Sequence, residues 1–279
     1  MNITAFDPKL RAVSKSGHDR ARKTLEDGTL RASCDLIQTP AYVYDLTVVA
    51  ARYHQLKAAL PRLGIRYAVK ANPHAAVLGQ VLDCGALIDA SSIGEVRRAL
   101  RAGALPEMIS FTGPGKRVSE IEEAIQLRIG HLVVESLHQA EVAQAAAARM
   151  GRVQSVLARI SPATSPKGFG ARMTGIATQF GIDEEDAPAT LALIAAMPAL
   201  ALDGLHFYAG SNSLDAGAIG ANMKNCADLA LALLPVLGRP PKRLIFGSGF
   251  GVPYHDGQVE LNLDAVAAQV SAEIGRAHV

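Results

Sequence analysis

Short apolar runs recur through this chain with helix-patterned stretches between them, and that rhythm limits the possible folds more than any other feature. The runs are Tyr67–Lys70, Leu87–Ser91, Ile109–Gly113, Leu132–Ser136, Val156–Ile160, Leu202–Ala209 and Leu244–Gly249. Between them lie the helix-forming stretches Ile93–Ala102, Glu120–Gln126, Ala140–Ala148, Thr190–Ala196 and Asn222–Leu234. Strands alternating with helices build parallel βαβ units, and runs that are apolar on both faces suit a sheet covered on both sides. The rhythm predicts an α/β protein of the (β/α)8 TIM-barrel type, with a doubly wound open sheet as the alternative. It yields about seven strands where a closed barrel needs eight, so the expectation is a barrel lacking its last strand.

Composition narrows the class. With 279 residues and 49% hydrophobic content the chain can bury a sizeable core. Its formal net charge is only +2, from 28 basic and 26 acidic residues, and no basic run is interleaved with aromatics, which argues against a nucleic-acid partner. An apolar span of about 20 residues is lacking and the N-terminus is polar, so neither a membrane nor a signal peptide is expected. Cys34, Cys84 and Cys226 are odd in number and far apart, without metal-ligand spacing. They read as reduced thiols in a cytoplasmic protein with no metal site. Residues 1–38, with Lys15, His18, Arg20, Arg22 and Lys23 close together, read as a solvated leader. Thr39-Pro40 then opens a β-rich segment, Ala41–Asp45, followed by a helical pattern through Val48, Tyr53, Leu56 and Leu60. Between Ser161 and Gly181 the rhythm gives way to a long loop of the kind that lies over a barrel's active site.

Barrel chemistry gathers where strands end, so the residues at those ends are the candidates. In order they are Lys70, Asp89 with Ser91 and Ser92, Thr112-Gly113, Glu135-Ser136, Arg159, Tyr208 to Asn212, and Gly247-Ser248-Gly249-Phe250-Gly251. Lys70 is either an amine held for chemistry or a charge at a strand end, where Asn72-Pro73 turns the chain. The glycine-rich turn fits two readings: a phosphate cradle, to which Ser211 could add a hydroxyl, or a tight strand-to-helix connection. Lys70 and the turn together suggest a phosphorylated carbonyl cofactor, the amine bonding to the carbonyl and the turn holding the phosphate.

Five segments, in order, resemble the fold-type III pyridoxal-phosphate decarboxylases, the diaminopimelate and ornithine decarboxylase family with an alanine racemase-like barrel. They are Tyr67-Ala68-Val69-Lys70-Ala71-Asn72-Pro73, Asp89-Ala90-Ser91-Ser92-Ile93-Gly94-Glu95, Phe111-Thr112-Gly113-Pro114-Gly115-Lys116, Phe180-Gly181-Ile182 and Gly247-Ser248-Gly249-Phe250-Gly251-Val252-Pro253-Tyr254. The resemblance spans most of Thr39 to Tyr254. It implies that Lys70 carries pyridoxal 5'-phosphate as an internal aldimine, and that the ring acts as an electron sink while an amino-acid substrate loses CO2. It further implies cofactor-binding roles for Asp89, Arg159, Tyr208, Ser211, Gly247, Ser248 and Gly249, and a homodimer as the full-length assembly. Glu95 matches an acidic position of the family, and a carboxylate favoured at a helix N-terminus is an equal reading. Arg159 has a second reading as a barrel-mouth ion pair, and Tyr208 as a core aromatic.

The chain departs from that family in three ways. His206-Phe207-Tyr208-Ala209-Gly210-Ser211 puts Tyr208 where the family stacks a histidine on the cofactor ring, and leaves His206 at the inward strand position. The acidic partner of the pyridine nitrogen, from a Glu-Pro-Gly-Arg segment of the eighth strand, has no match. The family's C-terminal β-domain has none either. These departures imply a C-terminally truncated barrel over residues 39–273 that has little activity by itself. The helix Leu263–Glu273 then stands before the missing strand, and residues 274–279 read as a non-biological tail. An amino-acid racemase on the same barrel and a non-catalytic pyridoxal-phosphate carrier are the alternatives.

Overall fold

The computed structural model describes residues 40–164, 168–176, 178–247 and 249–276. The chain divides into two compact units, residues 1–44 and 45–279. Of the first, only the last few residues are described. They form no strand, contrary to the β-rich reading of Ala41–Asp45, and Tyr42, Val43 and Tyr44 are exposed. Strand propensity there finds no neighbour to pair with among the described residues. The leader reading of residues 1–38 and Cys34 lie outside the described residues, as does the end of the chain beyond residue 276.

The second unit alternates strands and helices. Strands β1 (Arg66–Ala68), β2 (Leu87–Ala90), β3 (Ile109–Phe111), β4 (His131–Val134) and β5 (Gln154–Ser161) come first. The short β6 (Ala171–Arg172) and β7 (Ile182–Asp183) follow, then β8 (Leu200–Tyr208), the short β9 (Gly210–Ser211) and β10 (Arg243–Gly247). The helices are α1 (Leu46–Ala59), α2 (Ala75–Asp83), α3 (Ile93–Arg101), α4 (Val118–Gln126), α5 (Leu137–Arg149), α6 (Ala187–Ala195), α7 (Ala216–Ala232), α8 (Leu234–Leu237) and α9 (Leu263–Arg276).

The main sheet is parallel and runs β1-β2-β3-β4-β5-β8-β10, with β7 added to β5. Among the described residues no pairing joins β1 to β10. The expected sequence of barrel strands is therefore present, in chain order, on an open path.

Side chains alternate across each strand. Ile88, Ala90, Ile109, Phe111, Leu132, Val134, Val156, Ala158, Leu205 and Phe207 are buried in one core with Val96, Ala99, Ile121, Ala124, Leu191 and Ile194 of the helices. Helix α5 meets it through Ala140, Ala143, Ala146 and Ala147, all fully buried, so small side chains bring that helix close to the sheet. The alternate positions Asp89, Arg159 and His206 line the inner cavity. Parallel register places Arg159, His206 and Ile245 side by side. A second cluster, Leu60, Ile219, Met223, Val266 and Val270, joins α1, α7 and α9.

Helix starts follow from capping residues placed just after strands. Ser92 accepts from the Glu95 N–H and Ser136 from the Gln139 N–H. Asp215 accepts from the N–H groups of Gly217 and Ala218. Each satisfies donors that a helix N-terminus leaves open, and so fixes where the chain turns back over the sheet.

Four expectations shift. The first strand ends at Ala68, and Lys70 sits in the 3-10 turn Val69–Ala71 rather than on the strand. Helix α2 had no counterpart in the sequence reading; His74 opens it by accepting from the Ala76 N–H through Nδ1. The Ser161–Gly181 loop carries β6, which pairs antiparallel with β9. The last helix continues past Glu273 to Arg276, because each added residue contributes one more backbone hydrogen bond to a helix already formed.

Candidate active site

A cavity of about 900 Å³ is lined by strands of the main sheet, the turns that follow them and parts of α1, α7 and α9. Lys70, Asp89, Arg159, His206, Tyr208, Ser211, Gly247 and Gly249 all line it. Residues spread over nearly 180 positions of sequence thus converge on one space, as parallel connections require. Ser248 lies outside the described residues. Glu95 does not line the cavity; its carboxylate accepts from the Ser91 N–H at 2.7 Å while its own N–H donates to Ser92. That is the helix-start role of the two read from sequence.

The 3-10 turn after β1 aims Lys70 at the last residue of β8. Its Nζ stands 5.0 Å from the Tyr208 ring centroid, within the range of a cation–π contact. Arg159 reaches the same ring at 5.9 Å and the Phe180 ring at 4.8 Å. Its guanidinium is paired with Glu135 at 2.8 Å, both side chains almost wholly buried. The ion-pair reading of Arg159 therefore holds, and of the two partners Arg159 lines the cavity.

Asp89 Oδ1 accepts from Ser110 Oγ at 2.9 Å and Thr112 Oγ1 at 2.6 Å, so two hydroxyls of β3 and its turn hold the carboxylate in place. Arg66 closes the floor, donating through Nη1 to the carbonyls of Ile88 and Met108. Burial brings its guanidinium down to about 10, against the pull of Asp89. His206 is buried and its Nδ1 has no hydrogen-bond partner. Burial, with the positive charges of Arg159, Arg66, Lys116 and Lys70 behind it, holds its basicity well below the usual imidazole value, so the ring is neutral.

Two glycines of the late turn are required by packing. A Cβ on Gly247 would lie 2.0 Å from Tyr208 Cδ2, so this residue lets the ring settle against β10. Gly249 has φ +63, and its Cβ would lie 2.4 Å from the Gly210 carbonyl oxygen. The segment is sewn to the chain after β9 by Ser213 N–H to Gly249 O and Gly251 N–H to Ser213 O, both 2.8 Å. Asn212, between them, adopts φ 57 and lines the cavity beside Ser211.

Sequence reasoning did not single out Glu135, Arg66, Lys116 or Phe180 as site residues. Glu135 stood among the strand ends, but only its contacts distinguish it. Lys116 is half-buried, desolvation brings its amine down to about 8, and it donates to Gly113 O, Val133 O and Gln139 Oε1.

An amine over an aromatic face, a fixed carboxylate, a buried ion pair and a glycine-rich turn stand together on an α/β sheet of the barrel type. The chain belongs to the family described as "pyridoxal-dependent decarboxylase, pyridoxal binding domain", whose model matches residues 46–278. It is 34% identical over 228 residues to a diaminopimelate decarboxylase of Zymomonas mobilis, a match covering 80% of this chain and 54% of that protein. It is 29% identical to an L-glutamyl-[BtrI acyl-carrier protein] decarboxylase of Niallia circulans, over 88% of this chain and 58% of the relative. The crystal structure of diaminopimelate decarboxylase from Helicobacter pylori complexed with L-lysine superposes with a TM-score of 0.79 at 28% identity, covering 88% of this chain and 63% of that one. The chain therefore spans about half the length of the curated relatives it matches. Among the described residues no helix is long and apolar enough to cross a membrane.

Proposed function

We propose that the cavity binds pyridoxal 5'-phosphate and that the whole protein is an amino-acid decarboxylase of the diaminopimelate or ornithine type. The observation that carries this reading is Lys70 Nζ over the Tyr208 ring at the cavity wall. The residues fit the group. A primary amine meets its carbonyl, an aromatic face meets its flat ring, and the Ser211 hydroxyl with the turn at Gly247 and Gly249 meets its phosphate. When bound, the pyridine ring supplies the electron sink that decarboxylation of an amino acid requires.

The remaining work falls to the chain. Lys70 would hold the cofactor through its Nζ. Tyr208 would offer its face to the ring; unlike a histidine it brings no cationic form to that contact. Asp89, fixed by Ser110 and Thr112, presents its carboxylate to the cavity. Arg159 stays neutralised by Glu135 and braces Tyr208. Ser248, outside the described residues, keeps from the family resemblance its proposed part in holding the phosphate. His206, neutral and buried, fills the strand position between Arg159 and Ile245. The substrate is a small-molecule amino acid, the assembly a homodimer and the location cytoplasmic; these rest on the family and on composition.

The deciding experiment is uptake of pyridoxal 5'-phosphate. A visible absorbance band that borohydride bleaches, with the label recovered on Lys70 by peptide mass, is expected. Labelling elsewhere, or none, would overturn the reading.

A further inference from the structure

Glu135 follows the last residue of β4 and joins three other segments. Oε1 accepts from the Gly113 N–H at 2.6 Å, after β3. Oε2 accepts from Arg159 Nη1 at 2.8 Å, on β5, and from the Gly181 N–H at 3.2 Å, just before β7. Two segments singled out by sequence, Gly113-Pro114-Gly115-Lys116 and Phe180-Gly181-Ile182, therefore end on the same carboxylate.

Both glycines suit that convergence. Gly113 has φ +136, and a Cβ there would come within 3.3 Å of the Ser91 carbonyl. Its own carbonyl is held from the other side by Lys116 Nζ at 2.5 Å and Gln139 Nε2 at 3.3 Å, so its N–H is presented to Glu135 in a fixed direction. Gly181 has φ +78, and a Cβ would lie 3.1 Å from the Arg159 carbonyl oxygen and 3.3 Å from Arg159 Cγ. Only a bare backbone can pass so close to Arg159 and still donate to its partner. Phe180, the residue before, covers the guanidinium at 4.8 Å, and Tyr208 receives it at 5.9 Å.

We propose that Glu135 is the positioning residue of this site: with the Gly113 and Gly181 N–H groups it fixes Arg159 against the Tyr208 ring that faces Lys70. The inference rests on the reading that the cavity takes pyridoxal 5'-phosphate. A carboxylate that only stapled the fold would leave the ring's environment and the cofactor's affinity uncoupled from Arg159. A carboxylate that positions makes the two residues act as a unit.

The test uses the whole chain labelled with 3-fluorotyrosine, the Tyr208 fluorine resonance being identified by its loss in Tyr208→Phe. Glu135→Gln and Arg159→Met are each expected to move that resonance, the double variant to move it no further, and Glu135→Asp to restore at least part of the shift. In parallel, Glu135→Gln is expected to weaken uptake of pyridoxal 5'-phosphate by about tenfold. Adding Arg159→Met should then cost little more. Should Glu135→Gln fail to fold, the double variant, which leaves no buried charge unpaired, is compared with Arg159→Met instead. An unmoved Tyr208 resonance in Glu135→Gln, or effects of the two residues that simply add, would overturn the proposal. Absence of cofactor uptake by the parent chain would instead sink the functional reading, and the fluorine result would still decide what Glu135 holds.

Discussion

Glu135 and Arg159 meet at 2.8 Å with their side chains only 1% and 5% exposed, one from the end of β4 and the other from the middle of β5. A pair this buried recovers its desolvation cost only while both partners are present, so removing one charge is far worse than removing both. Glu135→Leu and Arg159→Met are each expected to destabilise the chain by about 3 to 5 kcal/mol. The double variant should lose less than the sum, and a double-mutant cycle in urea measures the difference.

Lys70 supplies the amine, so Lys70→Ala should abolish the visible band and the borohydride label. Its exposed position on a 3-10 turn means that the fold should survive the change. Circular dichroism of the variant, alongside absorbance with added pyridoxal 5'-phosphate, checks both halves.

Gly247→Ala inserts a methyl group 2.0 Å from Tyr208 Cδ2, and the ring rather than the β10 backbone is the part that can yield. Overpacking of this kind costs about 1 to 3 kcal/mol. Loss of cofactor affinity should exceed the loss of thermal stability, because the displaced ring is the one that faces Lys70. Isothermal titration and thermal melting of the same variant separate the two effects.

Ser155 Oγ donates to Asp203, which leaves His131 Nδ1 on β4, 2.9 Å away, to donate to Ser155 Oγ. Burial first, then the charges of Arg243 and Arg66, bring its imidazole down to about 4. Between that value and the ordinary one of about 6.5 the unfolded chain binds a proton that the folded chain does not, so stability falls as pH falls through this window. His206, also depressed, adds in the same direction. Urea midpoints from pH 7 to pH 4 should decline, and the decline should be shallower in His131→Asn.

Leu191 on α6 is fully buried against the sheet. Leu191→Ala should destabilise by about 2 to 5 kcal/mol through lost contacts and the cavity left behind. Equilibrium unfolding measures it, and cofactor uptake by the remaining folded fraction should be unchanged because α6 does not line the cavity.

By itself the sequence determined the strand and helix alternation, because a buried parallel strand and its covering helix each leave a periodic signature that needs no partner to be seen. It also brought forward Lys70, Asp89, Arg159, Tyr208 and the late glycines, since barrel chemistry lies at strand ends and strand ends can be read locally. Tertiary structure decided what those residues touch. That Gly247 makes room for Tyr208, that Glu95 serves a helix start, and that Glu135 receives Gly113, Arg159 and Gly181 are contacts between residues up to nearly fifty positions apart in sequence. Such contacts depend on register and on the direction of each turn, which sheet pairing fixes only after the strands have met.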